Sequence, residues 1–324
     1  MSDEPLPETL IEAVRYFADL SVCNDYMRRL KWPDGVMTCP HCGEARIAES
    51  DDGKRLRCRD CRKKFSYKVG TIFEDSPLGL DKWFVAVWSI ANCKNGISSH
   101  ELGRAIGVTQ KSAWFMLHRI RAAMQTGTFA KLGGTVESDE TYIGGEAKNM
   151  HVGKREAKIR GRGAVGKAIV HGLLERGDKA TKRPSQVKAS VITNTEATTL
   201  LPAVRKNIER GTVVYTDAHA SYGDLCLTHV HAAIDHATRY VAGRVHVNGL
   251  ENFWSLLKRG LKGTYVSVAP YHLQRYVDEQ VMRFNARRTN DRNRFVGVMH
   301  GVVGRRLTWR ELTGQDDCGF MGLT

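Results

Sequence analysis

The sequence has no apolar run that approaches the roughly 18–20 residues needed to span a membrane. Residues 1–10 are acidic and contain two prolines, so they lack the basic and apolar regions of a secretory signal peptide. Acidic side chains are in deficit: 35 Asp and Glu stand against 49 Lys and Arg, which gives a formal net charge of +14. We therefore expect no membrane partner and no secretion. The excess of bases favours a polyanionic partner, nucleic acid before an anionic membrane surface.

Disorder is also excluded by composition. Hydrophobic residues make up 42% of the chain and aromatic residues 8%, which is more than a disordered basic tail carries. The 324 residues are enough for two or three modules with a sizeable core.

The cysteines lack the even spread of a disulfide framework, because four of the eight fall within 23 residues. These four, Cys39, Cys42, Cys58 and Cys61, form a C-x2-C…C-x2-C pattern, which is typical of a four-thiolate zinc site. We predict a structural Zn2+ in a zinc ribbon over residues 37–72, with a hairpin turn at residues 51–53. Arg62 and Lys63 belong to a basic cluster in its second half. The cluster is either a solvated face or, as the net charge favours, a DNA contact.

Helical spacing predicts an N-terminal helical segment over residues 1–36 and a helical domain over residues 78–126. In the second, Ser98 opens a capping box, Gly107 ends a short helix, and Thr109 caps the next helix. Two helices joined in this way resemble a helix-turn-helix or an ordinary helical bundle. In the first reading the second helix begins with three residues that contact DNA: Gln110, Lys111 and Ser112.

After a linker at residues 127–134 the pattern changes to short strands. It predicts three strands, a helix, a strand, a short helix, a strand and a long helix. This is the order of a ribonuclease H-like α/β fold with a mixed sheet, which we place at residues 133–300, followed by a C-terminal tail at residues 301–324.

Several carboxylates lie on the predicted strands and on the last long helix of this fold. Asp217 ends an apolar strand, where a buried charge is costly unless it is paired or binds a metal. The first strand offers Glu137, Asp139 and Glu140, and spacing alone does not choose among them. Glu251 begins a polar stripe on the last long helix. Three converging carboxylates can hold two Mg2+ or Mn2+ ions for displacement at phosphorus; otherwise they are surface acids.

Several ordered motifs resemble bacterial insertion-sequence transposases of the zinc-ribbon, ISXO-two-like type, relatives of the eukaryotic Merlin elements. The motifs lie at residues 39–43, 137–145, 215–217, 246–260, 276–279 and 283–285. The resemblance runs from about Phe17 to Arg288.

This resemblance implies a DDE-type enzyme whose catalytic and Mg2+-binding acids are Asp139, Asp217 and Glu251. It implies that Lys258 contacts transposon-end DNA, and Arg259 and Lys262 lie on the same rim. Asn248 is a distant alternative to Glu251, and His246 either assists the site or caps the helix.

The implied function is an insertion-sequence transposase that binds terminal inverted repeats, cleaves the element end and joins the 3′-hydroxyl to target DNA. We expect a homodimer or a higher synaptic assembly at the bacterial nucleoid, in the cytoplasm. A basic stretch at residues 148–167 is expected to contact phosphates. The alternatives are a ribonuclease H-like nuclease without strand joining and a non-catalytic DNA-binding regulator derived from a transposase.

Overall fold

A computed structural model describes residues 6–50, 55–125, 130–144, 167–178, 180–217, 220–234 and 246–314. The chain forms two compact units, which are described separately below. The first contains Met1–Thr126 and Thr289–Thr324, and the second contains Gly127–Arg288. The expected turn at residues 51–53 and residues 148–166 of the basic stretch lie outside the described residues.

The first unit combines helices with a small antiparallel sheet. Its helices are α1 (Leu10–Tyr16), α2 (Leu20–Lys31), α3 (Leu80–Asn92), α4 (Ser99–Ile106) and α5 (Gln110–Ala123). Its strands are β1 (Ile47–Glu49), β2 (Leu56–Cys58) and β3 (Lys64–Phe65), in the order β1-β2-β3. The single N-terminal helix indicated by the spacing is two helices, because the Asp19 side chain accepts the Ser21 N–H and starts a new one.

The two short helices and the turn between them form as the sequence indicates. Ser98 and Glu101 make a reciprocal capping box at the start of α4, which ends at Gly107 in the left-handed conformation with φ of 64°. The Thr109 side chain then accepts the Ser112 N–H and starts α5. Two polar caps and one glycine therefore set the turn.

Two further helices of the first unit, Asp291–His300 and Trp309–Thr313, follow the second unit in the chain. Their labels are therefore given after the elements of the second unit. The helix Asp291–His300 packs in the first unit, where Phe295 lies 5.2 Å from Phe17 and 5.5 Å from Trp88 between ring centroids. The sequence predicts this helix within the domain at residues 133–300, whereas in the structure its Phe295 side chain is buried in the helical core of the first unit. Residues 301–314 also pack, since Leu307 and Leu312 are buried.

The second unit is a five-stranded mixed sheet with helices. Its elements are β4 (Thr135–Ile143), β5 (Ala168–Glu175), β6 (Gln186–Ile192), α6 (Ala197–Asn207), β7 (Val213–Asp217), a 3-10 helix (Ala220–Leu227), β8 (Val230–Ile234), α7 (Asn248–Gly260) and α8 (Leu273–Asn285). The helices of the first unit that follow are α9 (Asp291–His300) and α10 (Trp309–Thr313).

The strand order is β6-β5-β4-β7-β8. Strand β5 runs antiparallel to both β4 and β6, whereas β7 is parallel to both β4 and β8. The fold is the predicted ribonuclease H-like mixed sheet, with the elements in the predicted order.

Each face of the sheet is covered by its own core. On one face α7 and α8 bury Leu250, Phe253 and Leu257 with side chains of β5 and β6. On the other, α6 and the 3-10 helix pack against Val136 and Val214. Strand β7 is fully buried on this second face only, since Val213, Tyr215 and Asp217 are half-exposed.

Helix α7 ends at Gly260. A π-helical turn, Leu261–Tyr265, follows it. Val266 then adopts φ of 61° and ψ of −55°, and the Ser267 N–H donates to the Tyr265 carbonyl at 2.6 Å. This is a γ-turn with positive φ, a rare and strained conformation for a branched side chain. The Val266 side chain is 79% exposed.

Candidate active site and zinc cluster

Two neighbouring parallel strands carry the two aspartates. Strands β4 and β7 pair with Glu137 opposite Tyr215. Asp139 and Asp217 lie two residues further along each strand and therefore project from the same face of the sheet. Helix α7 packs on that face and carries Glu251 in its first turn. The fold thus brings the three predicted acids to one edge of the sheet.

The electrostatics of Asp139 show that the acids interact. Burial is the largest cause that raises the pKa of the Asp139 carboxyl to about 6, and the charges of Asp217 and Glu251 contribute to this value. One opposing contribution is the Trp254 indole N–H, which donates to Asp139 Oδ2 at 2.8 Å. Repulsion among the acids is the condition that a bound cation relieves.

Asp217 supplies the clearest sign of such a cation. Its Oδ1 atom is buried and has no hydrogen-bond partner among the described residues. An orphaned carboxylate oxygen is costly unless a metal or a proton binds it. The donor set of hard carboxylate oxygens matches Mg2+ or Mn2+ and not zinc. These residues therefore fit the divalent ions that the fold family implies.

The ligand atoms of the three acids do not form one compact cluster. Among the described residues, only the cysteine cluster brings three or more metal-ligand atoms within 4.8 Å of one another. The ligand oxygens of the three acids are therefore not all within 4.8 Å of one another.

The other two acids of β4 have protein partners. Both oxygens of Glu137 are occupied: Oε1 accepts from Arg176 at 2.7 Å, and Oε2 accepts the Leu250 N–H at 3.0 Å. Glu140 accepts from the Tyr222 hydroxyl. Burial is the largest cause that raises the pKa of the Glu140 carboxyl to about 7, and the charges of Asp139 and Asp217 contribute to this value.

A buried hydrogen-bond chain extends from Glu140 into the sheet. The Tyr222 hydroxyl also lies 2.9 Å from Ser138 Oγ, which is 3.0 Å from His171 Nε2. Burial lowers the pKa of His171 to about 4, so the imidazole is neutral. Sequence patterning offered no signal for this chain, because its members come from three separate elements.

Two glycines let α7 approach the sheet. A Cβ atom on Gly172, which pairs with Asp139 across β4 and β5, would lie 2.6 Å from Trp254 Cη2. A Cβ atom on Gly249 would lie 2.7 Å from Glu137 Oε2. The close contact between α7 and the sheet therefore leaves no room for a side chain at either glycine. We did not single out either one from the sequence.

The predicted polar stripe of α7 is exposed. Glu251 and Lys258 are exposed two turns apart, and Arg259 and Lys262 are exposed beside them. The predicted apolar arc of the helix is buried against the sheet. Asn248 is exposed in the first residue of α7, and His246 is contacted by Arg176.

In the first unit the predicted zinc ligands come together. The sulfur atoms of Cys39, Cys42, Cys58 and Cys61 all lie within 4.8 Å of one another. Each C-x2-C pair faces the other, with 3.7 Å between Cys39 and Cys61 and 3.6 Å between Cys42 and Cys58. Four thiolates at this separation suit a tetrahedral Zn2+. His41 is exposed and donates its backbone N–H to Cys39 Sγ.

The predicted DNA-contacting residues of the first unit lie at its surface. Arg62 and Lys63 are exposed beside the cysteine cluster. Gln110 donates to Ser99 Oγ at 2.9 Å, and the Lys111 ammonium lies 4.7 Å from the Trp309 ring centroid. Ser112 is half-buried, and its hydroxyl is 2.9 Å from that of Thr109.

Comparison with known proteins agrees with this geometry. The ISXO2-like transposase domain matches residues 131–285. An uncharacterized protein in transposable element ISH50 of Halobacterium salinarum is 30% identical over 248 residues, which cover 72% of this chain and 81% of that protein. The chain belongs to the ISXO2-like transposase family. The transposase zinc-ribbon domain matches residues 21–64.

A second relative is an uncharacterized transposase-like protein of Haemophilus influenzae. It is 33% identical over 101 residues, which cover 31% of this chain and 81% of that protein. The zinc ribbon, the transposase domain and the mixed α/β fold predicted from the sequence are therefore confirmed. No helix in the described part of the chain is long and apolar enough to cross a membrane.

Proposed function

We propose that this protein is a DNA transposase that binds the terminal inverted repeats of its element, cleaves the element end and joins the freed 3′-hydroxyl to target DNA. The observation that carries the proposal is the set of three interacting acids on β4, β7 and α7. Within this set, Asp217 Oδ1 is buried and has no hydrogen-bond partner among the described residues, and the pKa of the Asp139 carboxyl is raised. We assign Asp139, Asp217 and Glu251 as the catalytic residues and as the ligands of two divalent cations.

Two bound Mg2+ or Mn2+ ions would activate the attacking water or 3′-hydroxyl and stabilise the leaving oxygen. The chain's own residues orient the acids and hold DNA. Trp254 fixes the Asp139 carboxylate through its N–H. Lys258, Arg259 and Lys262 continue the polar stripe from Glu251 along the helix and would contact backbone phosphates.

The first unit would supply end recognition. Arg62 and Lys63 on the zinc ribbon and Gln110, Lys111 and Ser112 at the start of α5 are the proposed DNA contacts. A helix-turn-helix places the start of its second helix at base edges. Because two element ends must be held together, we propose a homodimer or higher synaptic assembly, acting at the nucleoid.

The test is an in vitro cleavage and strand-transfer assay on DNA that carries the flanking repeats. Asp139→Asn, Asp217→Asn and Glu251→Gln should each abolish both products, while the exposed Asp224→Asn should leave them unchanged. Activity in all three variants would refute the site. Cleaved but unjoined DNA would indicate a ribonuclease H-like nuclease, and tight end binding without metal-dependent cleavage would indicate a regulator.

A further inference from the structure

One arginine contacts a residue close in sequence to each of the three acids. Arg176 directly follows β5, and its Nε donates to Glu137 Oε1 at 2.7 Å. Its guanidinium carbon lies 4.8 Å from the Tyr215 ring centroid. Its Nη2 donates to the His246 carbonyl at 2.7 Å and lies 2.8 Å from His246 Nδ1.

These contacts reach every element that carries an acid. Glu137 is two residues before Asp139 on β4, Tyr215 is two residues before Asp217 on β7, and His246 is five residues before Glu251. The backbone of Arg176 is itself fixed to β4, because its N–H donates to the Thr135 carbonyl at 2.9 Å. One planar guanidinium thus contacts β4, β7 and the segment that leads into α7.

Glu137 extends this connection into α7. Its Oε2 accepts the N–H of Leu250 in the first turn, and the N-cap residue Val247 makes no side-chain cap of its own. A carboxylate at this place satisfies an unpaired helix donor and favourably meets the positive end of the helix dipole. The close approach requires Gly249, whose Cβ would otherwise meet Glu137 Oε2 at 2.7 Å.

Burial makes this arrangement specific. The side chain of Glu137 is 1% exposed and that of Arg176 is 21% exposed. A buried carboxylate without its arginine leaves an uncompensated charge, which is strongly destabilising. Both oxygens of Glu137 have protein donors, whereas Asp217 Oδ1 has none among the described residues. Protein donors therefore occupy Glu137, whereas the oxygen that has no such donor belongs to Asp217, a proposed metal ligand.

We propose that Arg176, acting through Glu137, Tyr215 and His246, is the positioning residue that holds the three acids at the spacing needed to bind divalent cations. The inference rests on the proposed function for the identity of the site. Loss of Arg176 should let α7 shift relative to β4 and β7. Glu251 would then be displaced from the two aspartates, and the cation affinity of the site would fall.

The experiment measures Mn2+ binding to the full chain without DNA, by electron paramagnetic resonance of the free ion. Arg176→Gln should weaken Mn2+ binding at least about tenfold, as expected when a residue that orients metal ligands is removed. Asp217→Asn identifies the site by abolishing the same binding. The matched control is Arg183→Gln, because Arg183 pairs with Glu175 at 2.7 Å and, within the described part of the chain, forms no ion pair with the elements that carry the acids. It should bind Mn2+ within about twofold of the wild type.

Arg176→Lys covers the case in which Arg176→Gln does not fold. Lysine keeps the charge but lacks the planar fork, so it cannot contact all three partners at once. We expect intermediate affinity and binding of repeat DNA unchanged from the wild type. Wild-type Mn2+ affinity in either folded variant would overturn the inference. Failure of the proposed function is a separate result: the wild type would bind Mn2+ at the acids but neither cleave nor join DNA.

Discussion

At the scale of single residues, the site combines acids that oppose each other with acids that have protein partners. Asp139 is held near Asp217 and Glu251 although their charges raise its pKa. Glu137, two residues away on the same strand, is neutralised by Arg176 and a helix N–H. Asp139 and Glu137 therefore have different roles although both carry a carboxylate, and their tertiary contacts determine the role of each.

Replacing Asp139 by Asn should stabilise the protein in the absence of metal. In the folded state burial raises the pKa of this carboxyl from its ordinary value of 3.8 to about 6, so its ionised form is less favourable than in the unfolded chain. The difference of about two pKa units limits the gain to about 3 kcal/mol. Thermal unfolding without metal measures it, and Asp224→Asn serves as the control.

The same carboxyl makes the stability depend on pH. The folded wild type binds this proton more tightly than the unfolded chain, so its contribution to stability falls as pH rises from 3.8 to about 6. Asp139→Asn should remove this contribution and reduce the stabilisation by Mg2+. An unchanged pH dependence and an unchanged Mg2+ effect in the variant would contradict the assignment.

At the scale of elements, the contact of α7 with the sheet is set by the lack of a side chain. Gly172→Ala should force Trp254 outward, because the new Cβ would lie 2.6 Å from its Cη2 atom. We expect a loss of about 1–3 kcal/mol in the free energy of unfolding, together with slower strand cleavage. Chemical denaturation checks the first and the cleavage assay the second.

Gly223→Ala is the matched control, because a Cβ atom at Gly223 meets nothing within 4 Å. It should change stability by less than about 0.5 kcal/mol. If both alanine variants behaved alike, the closeness of α7 to the sheet would not depend on Gly172.

The turn after α7 stores strain. Val266→Gly should raise the free energy of unfolding by about 1 kcal/mol, since glycine accepts positive φ but is less ordered in the unfolded chain. Val266→Ala keeps the Cβ atom and the strained backbone, so it should give little of this gain. A larger gain in the alanine variant would show that the exposed apolar side chain, and not the backbone, is the source of the strain.

The elements themselves were largely predictable. The capping box at Ser98 and the glycine at residue 107, both visible in the sequence, set the two ends of α4. The choice among Glu137, Asp139 and Glu140 was not predictable from spacing, since Glu137 and Asp139 share a face. It depends on Trp254 and Arg176, which come from other elements and reach β4 only in the folded chain.

At the scale of the whole molecule, each unit has its own source of stability. The second unit has cores on both faces of its sheet, whereas the three short strands of the ribbon surround a cysteine cluster. A small ribbon gains much of its folding free energy from its metal. Chelation of zinc should therefore increase hydrogen exchange in Leu56–Cys58 but not in Thr135–Ile143.

Cys42→Ser should reproduce the effect of the chelator, whereas Cys226→Ser, at an exposed cysteine outside the cluster, should not. Hydrogen-exchange mass spectrometry resolves the two segments in one experiment. Equal loss of protection in both segments would mean that the two units unfold as one.

The net charge of +14 gains its meaning from where the bases lie. Lys258 is exposed on the polar stripe that begins at Glu251, whereas Lys206 is exposed on α6, which covers the opposite face of the sheet. If DNA lies along α7, Lys258→Gln should reduce the slope of log affinity against log salt by about 0.9, because one phosphate contact is lost. Lys206→Gln removes the same charge and should leave the slope unchanged. Equal effects of the two substitutions would mean that DNA responds to the total charge and not to the stripe beside the acids.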